Sequence, residues 1–350
     1  MKITFNEEMG HIVDIFTSLE LMVSDEIADE LFNKYQIKVN EKVEKAIEEL
    51  KEISSINLEK IKFFFKDETK IFSSLIEIKE VWKKNISEVL DTIRNKEGVE
   101  IKYNLVKELT YGMALQEEEI NEIISTSESF IKFIKELNIS SEGKWNLFLF
   151  TQDIKGYLEE FTALIKDYLP KYNKVTKKYS KYIEKEALYY KDKIEEKGIA
   201  YINELLRDAV HGEEGTDEIS VSFMFYSCYS IATGAVERSR YMLIGIRCEE
   251  LISKVCGNTD MENNLLILKN LSDKTRYSII KQLSEKQCYG LELAEQFKLT
   301  NATISYHMSY LQLAKLVHIE KKDHKAYYSL NKEELKKCFQ FFNKELGLDK

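Results

Sequence analysis

Residues 271–330 constrain the fold of this chain more than any other stretch. Two short helical patterns stand three residues apart, and two alternating, strand-like runs around a basic turn follow them. This order is that of a winged helix-turn-helix, a module whose second helix enters the major groove of DNA. The sequence therefore predicts a small α+β module in its C-terminal part.

The boundaries of the predicted elements follow from capping residues and from the spacing of apolar side chains. Short polar side chains precede the first turn of a helix, because their oxygens accept its free backbone N–H groups. The predicted elements are a helix from the Ser272-Asp273 cap to about Leu283, a short helix opening at Gly290, a turn at Lys298-Leu299-Thr300, a recognition helix from Asn301 to about Leu313, strands at 317–320 and 326–330, and a last helix at 332–346.

Apolar spacing predicts which faces of these helices are buried. Residues that recur every three to four positions lie on one side of a helix, and that side packs against a core. The predicted stripes are Tyr277, Ile280 and Leu283 in the first helix, Leu293, Ala294 and Phe297 in the second, Ile304, Met308 and Leu311 in the recognition helix, and Leu335, Phe339, Phe342 and Leu346 in the last. The last stripe is free to dock on the rest of the chain or on a second subunit.

The other side of the recognition helix predicts contacts with DNA. Asn pairs bidentately with adenine, Ser contacts either kind of base, and Thr hydroxyls donate to phosphates. His307 is open to two interpretations, a phosphate or cap-like hydrogen bond, which is the commoner role, and a metal ligand. Lysines at the hairpin tip suit backbone or minor-groove contact. The predicted DNA-binding residues are Thr300, Asn301, Ala302, Thr303, Ser305, Tyr306, His307, Ser309, Lys321, Lys322 and Lys325.

This segment resembles the ArsR/SmtB family of bacterial winged-helix transcription regulators over residues 271–330, with no gap needed. The resemblance implies a module that binds operator DNA as a dimer and pairs through its first and last helices. It also implies repression, which is the role of most relatives. The matching residues are Leu271-Ser272-Asp273, Thr275-Arg276, Glu292-Leu293-Ala294, Ile304-Ser305, His307, Leu311, Leu316-Val317, Tyr328 and Leu330.

Two departures from the family pattern bear on what the module senses. Metal-sensing members carry two cysteines one residue apart on the helix before the turn, and the corresponding positions here are Tyr289 and Leu291. Cys288 lies one position away without a second thiolate, whereas a tetrahedral thiolate site needs several converging ligands. We therefore expect no metal site here. The family's wing turns through glycine, whereas Asp323-His324, which tolerate the left-handed region, must do so here.

The distribution of charge favours a nucleic-acid partner for the module. The net charge is -9, but residues 263–350 hold 15 basic and 10 acidic side chains, whereas residues 1–262 hold 36 and 50. The local field governs the encounter with DNA phosphates, so a basic module on an acidic chain can still bind DNA. Ordinary surface variation produces a similar balance, so charge alone does not decide the partner.

Cysteine usage and apolar runs bear on the compartment. No apolar run approaches the ~18 residues that span a bilayer. Five cysteines form no CxxC pair, which is typical of reduced thiols in the cytosol. We therefore expect a cytoplasmic protein, without a cofactor or a structural metal. The five are Cys228, Cys248, Cys256, Cys288 and Cys338.

Residues 1–257 predict a large, mainly helical domain, here called the body, which precedes the module at 263–346. A single proline, Pro170, and 13 glycines favour long helices, one of which is expected to end at Pro170. Residues 219–231 and 240–247 are β-branched and aromatic, and they predict a small antiparallel sheet that the N-terminal residues 1–6 can join. The expected fold class is mainly α with an α+β winged helix.

No motif in the body indicates its function. The sequence contains no GxGxxG, Walker-type, HExxH or GxSxG pattern, so we do not expect an enzyme. Its aromatic residues either line a pocket or, more commonly, form the core. Residues 171–185 hold six lysines, one glutamate and three tyrosines. They fit either a second phosphate-binding surface or, more commonly, a solvated helix face.

Two functions of different classes are consistent with these patterns. The first is a DNA-binding transcription regulator, in which the body senses an unknown small-molecule effector or forms the dimer. Its partners are double-stranded operator DNA and a second copy of the chain. The alternative is a protein-interaction or dimerisation scaffold whose winged helix no longer binds DNA. Binding of DNA that weakens steeply with salt distinguishes the regulator from the scaffold.

Overall fold

The computed structural model describes residues 2–24, 40–53, 57–110, 115–206, 216–256, 260–299, 301–322 and 325–348. The chain divides into two compact units. The first consists of Met1–Tyr111, Leu115–Tyr189 and Thr216–Cys248, and the second of Gly112–Ala114, Tyr190–Gly215 and Glu249–Lys350. Helices dominate the chain and the sheets are small, which confirms the predicted mainly α class.

The helices of the first unit begin, in most cases, at polar caps. Asn40 Oδ1 accepts the backbone N–H of Lys42 at 3.0 Å, and Ser140 Oγ accepts that of Gly143 at 2.9 Å. The helices are α1 (Glu7–Val23), α2 (Glu41–Lys51), α3 (Leu58–Phe65), α4 (Ile71–Leu75), α5 (Ile86–Arg94), α6 (Gly98–Leu109), α7 (Glu117–Ile124), α8 (Ser127–Glu136), α9 (Ser141–Gln152), α10 (Ile154–Thr176) and the first half of α11 (Ser180–Lys197).

A four-stranded sheet lies in the first unit, and it is mixed. The strands β1 (Lys2–Phe5), β2 (Glu218–Met224), β3 (Ile231–Val236) and β4 (Ser239–Gly245) lie in the order β1-β2-β4-β3. β1 pairs with β2 and β2 with β4 in parallel, and only β3 and β4 are antiparallel. The predicted joining of the N-terminal strand is confirmed, whereas the predicted antiparallel pairing of the two longer strands is wrong.

The physical reason is an extra strand where a connection was expected. β3 forms a hairpin with β4 through Glu237, which has a φ of 52°. Gly234 lies opposite Tyr241, and a Cβ at Gly234 would sit 2.2 Å from the Tyr241 hydroxyl oxygen, so only glycine leaves room for that ring. Because β3 occupies one edge of β4, β2 pairs with the other edge, in parallel register.

α1 packs closely against β2. A Cβ at Gly10 would lie 2.2 Å from the carbonyl oxygen of Phe223, so the helix approaches at a distance that only glycine permits. One turn later, the buried carboxylate of Asp14 accepts the backbone N–H groups of Phe225 and Tyr226 at 2.6 and 2.8 Å. Burial raises the pKa of Asp14 to about 7, while these hydrogen bonds oppose the rise. The carboxylate thus satisfies backbone groups that β2 leaves behind where it ends.

Aromatic side chains form much of the core of the first unit. Phe64, Phe65 and Phe150 are buried, so the core role expected for them is confirmed. Phe65 and Phe72 have ring centroids 4.6 Å apart, within the range that aromatic pairs prefer. Trp145 is 58% exposed and does not take part in this core.

α10 continues through Pro170, so the predicted helix end there is wrong. Proline removes one intrahelical hydrogen bond, but the buried side chains Tyr168, Tyr172 and Val175 hold the helix against the core on both sides of it. A 3₁₀ turn at Lys177–Tyr179 then leads directly into α11.

The second unit contains the predicted module. Its helices are α12 (Ile199–Leu205), α13 (Cys248–Cys256), α14 (Asp260–Ser272), α15 (Lys274–Glu285), α16 (Gly290–Phe297), α17 (Asn301–Leu313) and α18 (Lys332–Glu345), and they accompany the strands β5 (Cys288–Tyr289), β6 (Val317–Lys322) and β7 (Lys325–Leu330). The strands form an antiparallel sheet in the order β5-β7-β6. The predicted sequence of three helices, a hairpin and a last helix is confirmed. Within the described ranges, no helix is long and apolar enough to cross a membrane.

Candidate nucleic-acid interface

α15 is the base on which the interface is built. Asp273 Oδ1 accepts the backbone N–H of Arg276 at 2.8 Å, which confirms the predicted cap. The buried face of α15 contains Arg276, Ile279 and Leu283. Tyr277 was predicted to be buried, but it is 53% exposed. The buried face follows Arg276, one position before Tyr277, and continues through Ile279 and Leu283.

A tight turn ends α16 and redirects the chain towards α17. Lys298 adopts the left-handed conformation with a φ of 54°, and the N–H of Leu299 donates to the carbonyl of Ala294 at 3.0 Å. This is a helix-end geometry that glycine favours and that lysine adopts here. Thr300, the predicted cap of the next helix and a predicted phosphate contact, lies outside the described residues.

α17 packs against α15 and α16 through its predicted stripe. Ile304, Met308 and Leu311 are 1%, 1% and 0% exposed, so the predicted burial of all three is confirmed. The opposite side exposes Ser305 and Tyr306, and the Tyr306 side chain is 40% accessible. The helix therefore presents polar and aromatic side chains outward from a firmly packed base.

The other predicted contacts on α17 have different surroundings. Thr303 and Ser309 are half-buried, and the Ser309 hydroxyl donates to the carbonyl of Tyr306 at 2.8 Å. Asn301 and Ala302 lie in the first turn of the helix, and their side chains are outside the described part of the structure. The sequence of α17, NATISYHMSYLQL, contains no Lys, Arg, Asp or Glu, so the helix suits contact with base edges better than with phosphates.

Arg276 connects α15 to α17, and the sequence reading did not place it in the site. It is 9% exposed, its guanidinium lies 5.0 Å from the centroid of the Tyr310 ring, and its Nη2 lies 3.6 Å from Asp273 Oδ2. The Tyr310 ring contacts the Tyr306 ring edge-on, at a centroid distance of 4.9 Å. The exposed tyrosine is thus supported from beneath by a buried cation and a second ring.

A signal for Arg276 was present in the composition of the chain. The sequence has 45 lysines and only six arginines. A planar guanidinium stacks on aromatic rings in a way that an ammonium does not, so an arginine in a lysine-rich chain indicates a stacked or bidentate contact. A partly desolvated cation–π contact contributes about 2 kcal/mol.

His307 lies partly inside the module. Burial lowers the pKa of His307, with Asp273 opposing this shift and Arg276 adding to it. Its Nδ1 is buried and has no hydrogen-bond partner among the described residues. The ring is therefore neutral at neutral pH and brings no positive charge to a phosphate contact.

The wing is a two-stranded hairpin of β6 and β7. Lys322 and Lys325 form its last backbone pair, next to the predicted turn. The backbone thus places the predicted contacts Lys321, Lys322 and Lys325 at the tip of the hairpin. Their side chains and the turn residues Asp323-His324 lie outside the described part of the structure.

α14 and α18 pack on each other and leave apolar side chains exposed. Cys338 is fully buried between them, with its thiol 3.7 Å from the carbonyl of Asn264. Leu265 on α14 is 49% exposed and Phe339 on α18 is also 49% exposed. Of the predicted stripe on the last helix, Phe339 and Leu346 therefore remain available to a partner.

The thiol nearest the family's metal-sensing positions is buried. Cys288 has no exposed surface, and burial raises the pKa of its thiol. Within the ranges that the structure describes, no group of three His, Cys, Asp or Glu side chains is placed to hold a metal ion.

Comparison with known proteins identifies the domain that contains this interface. Residues 271–320 match the family model described as a helix-turn-helix domain. The match covers a small part of the chain, and it shows that the chain carries such a domain. No curated protein matches the chain.

Solved structures that are similar to part of this chain include two of one protein. HlyU from Vibrio cholerae N16961 is 21% identical over 25% of this chain and 95% of that one, with a TM-score of 0.22. Reduced HlyU from the same organism is 21% identical over 24% of this chain and 90% of that one, with a TM-score of 0.21. At these TM-scores, the likeness supports no conclusion about this chain.

Proposed function

We propose that this chain is a sequence-specific DNA-binding transcription regulator in which α17 reads base edges in the major groove. The observation that carries the proposal is the outward side of α17. Ser305 and Tyr306 are exposed there above a fully buried stripe, on a helix without formal charges. Neutral polar side chains can hydrogen-bond to base edges and so discriminate between bases, whereas contacts to phosphates carry no sequence information.

The resemblance to ArsR/SmtB regulators also suggests how this regulator acts. In this proposal the protein is a repressor, and Lys321, Lys322 and Lys325 contact the DNA backbone beside the site that α17 reads. No thiolate pair stands at the metal-sensing positions, so the stimulus acts elsewhere. We assign that role to the body, as an effector-binding or dimerisation domain.

We further propose that the module acts as a dimer. The exposed apolar side chains of α14 and α18, including Leu265 and Phe339, support this assignment, because exposed apolar surface is typical of contacts with a partner. A two-fold dimer of this kind places its two recognition helices about 34–36 Å apart, one turn of the DNA helix. The operator should then be an inverted repeat with half-site centres about 10 base pairs apart.

Selection from a random duplex library tests the function directly. Full-length protein is expected to enrich one inverted repeat, bound at least about 1,000-fold more tightly than a scrambled duplex at physiological salt. Mobility shifts at several salt concentrations should show affinity falling steeply as salt rises. A reporter downstream of the enriched repeat should be silenced when the protein is present.

A failure to bind DNA would favour the alternative function, a protein-interaction or dimerisation scaffold. If no repeat is enriched and no duplex shifts at low salt, while the protein still forms a dimer in solution, the winged helix serves assembly. Activation of the reporter in place of silencing would retain DNA binding and overturn only the repressor assignment.

A further inference from the structure

The first unit carries a straight row of lysines that the proposed function does not use. α10, the 3₁₀ turn Lys177–Tyr179 and α11 follow one another without a break. Residues three and four positions apart lie on the same side of a helix. The spacing therefore aligns four exposed lysines, here called the lysine row, along one side: Lys174, Lys177, Lys181 and Lys185.

The lysine row differs from its neighbouring lysines in ion pairing. Neighbouring Lys171 pairs with Asp167, and Lys178 pairs with Glu49. By contrast, none of the four lysines of the row has an ion-pair partner within 4.0 Å among the residues that the structure describes. Glu184 is the one acid in residues 171–185. Aligned like charges repel one another, so an external anion that neutralises them is stabilised.

The tyrosines between these lysines are used for packing. Tyr172 has no exposed surface, and the Tyr179 ring stacks on Phe225 with a centroid distance of 5.5 Å. The Tyr182 hydroxyl accepts a hydrogen bond from the side-chain amide of Asn40 at 3.1 Å. Single-stranded nucleic acid needs free aromatic faces on which bases stack, and these rings do not provide them.

We propose that the lysine row is a second DNA-binding surface that contacts the phosphates of a duplex without regard to sequence. Lys174 and Lys185 are eleven residue steps apart, or roughly 17 Å at the rise of an α-helix. Each strand of a duplex carries one phosphate per about 3.4 Å of axis, so about five phosphates of one strand lie within that length. The charge, the length and the packing of the three tyrosines all fit a duplex backbone.

Charge substitution in the full-length protein tests this proposal. The variant K174Q/K177Q/K181Q/K185Q keeps helix-forming side chains and removes four positive charges. K45Q/K51Q/K132Q/K155Q removes the same charge from exposed lysines on three different helices, α2, α8 and α10, and is the matched control. Fluorescence anisotropy with a random-sequence duplex, at salt concentrations between 50 and 300 mM, gives the slope of log affinity against log salt.

The expected result is a smaller slope for the row variant alone. Each lost phosphate contact reduces the slope by about 0.9, so the loss of four lowers it by about 3 to 4, whereas the control slope stays near that of the wild type. Equal slopes for the two variants would overturn the proposal. The proposal would also be overturned if the wild-type protein bound phosphatidylglycerol vesicles as tightly as it binds the random duplex. The lysine row would then be a site for anionic membrane surfaces.

The outcome is separate from that of the proposed function. The substitutions Ser305→Ala and Tyr306→Ala remove the base contacts of α17. In that background, the four lysine substitutions should still reduce the slope of log affinity against log salt. If the fourfold variant does not fold, as judged by circular dichroism, K177Q/K181Q should show about half the change in slope. No change in that pair would contradict the assignment.

Discussion

The outward side of α17 and the lysine row on α10 and α11 are opposites in chemistry. α17 has no formally charged residue and exposes a hydroxyl and a phenol, whereas the lysine row exposes four ammonium groups. Neutral polar groups distinguish one base pair from another, but they add little attraction to a polyanion. Cations that contact phosphates attract every duplex equally and distinguish none.

The contrast teaches that affinity and specificity can reside on separate surfaces of one chain. The net charge of -9 hides this division, because the average combines a basic module, an acidic body and a local row of lysines within that body. If the two surfaces are independent, damage to one should leave the binding mode of the other unchanged.

The largest expected effect comes from the base of the recognition helix. Leu311→Ala removes a fully buried side chain and should lower the free energy of unfolding by about 2–5 kcal/mol. Operator binding should be lost with it, whereas binding to a random duplex at low salt should persist through the lysine row.

The control for Leu311 is a leucine in the first unit. Leu105 is also 0% exposed, so Leu105→Ala should cost a similar amount of stability and leave operator binding unchanged below the melting temperature. Chemical denaturation and mobility shifts measure both quantities. Parallel loss of the two binding modes in either variant would show that the surfaces are not independent.

The second expected effect concerns the support beneath Tyr306. Arg276→Ala removes the cation under Tyr310 and should weaken operator binding by about 10- to 30-fold, the equivalent of a desolvated cation–π contact. Arg276→Lys keeps the charge without the planar group and should recover only part of the loss. Arg238→Ala is the control, because it breaks only an exposed ion pair with Asp217, and it should leave operator binding unchanged. Full rescue by lysine would mean that charge alone matters.

Most of the module could be predicted from the sequence because its determinants are local. Asp273 caps α15, Gly290 opens α16, and Ile304, Met308 and Leu311 repeat at helical spacing. Each of these acts within one or two turns of its own position. Arg276 is the exception, because its role depends on Tyr310, which is distant in sequence and brought near by the turn at Lys298.

The body was less predictable because its determinants are distant in sequence. Parallel pairing of β2 with β4 depends on β3 occupying the other edge, and β3 depends on Gly234 accommodating Tyr241. The helix passes through Pro170 because buried residues on both sides offset the lost hydrogen bond. Local patterns report none of these contacts, and they report no ligand for the body either.

The third prediction compares base contact with phosphate contact within the module. Tyr306→Ala and Ser305→Ala should each weaken operator binding by about 1 kcal/mol, the low end of the range for a base contact, and leave binding to a random duplex unaffected. Lys325→Ala should weaken both kinds of DNA alike and reduce the salt slope by about 1. Mobility shifts on operator and scrambled duplex measure this difference. An equal loss on both duplexes for all three variants would contradict the assignment of α17 as the base reader.

The smallest expected effect is a pH dependence that distinguishes the two units. Burial lowers the pKa of both His11 in the first unit and His307 in the second below the ordinary value of 6.5. At these two histidines the unfolded chain therefore binds more protons than the folded chain as the pH falls through that value, so the stability that each histidine contributes above pH 6.5 is lost below it. The buried carboxyl of Asp14, whose pKa is raised to about 7, changes stability in the opposite direction over the same range, so each histidine is measured by its own substitution.

Glutamine does not titrate, so His11→Gln or His307→Gln removes the acid-induced loss of stability that the replaced histidine causes. Thermal unfolding between pH 7.5 and 5.5 measures this effect as the difference in melting temperature between variant and wild type. His307→Gln should in addition reduce the acid sensitivity of operator binding, because His307 lies on α17 beside Tyr306, with ring centroids 5.4 Å apart. His11→Gln should leave operator binding as sensitive to acid as in the wild type. If His11→Gln protects operator binding as well as His307→Gln does, acid acts on recognition through the body, and the separation of the two surfaces fails.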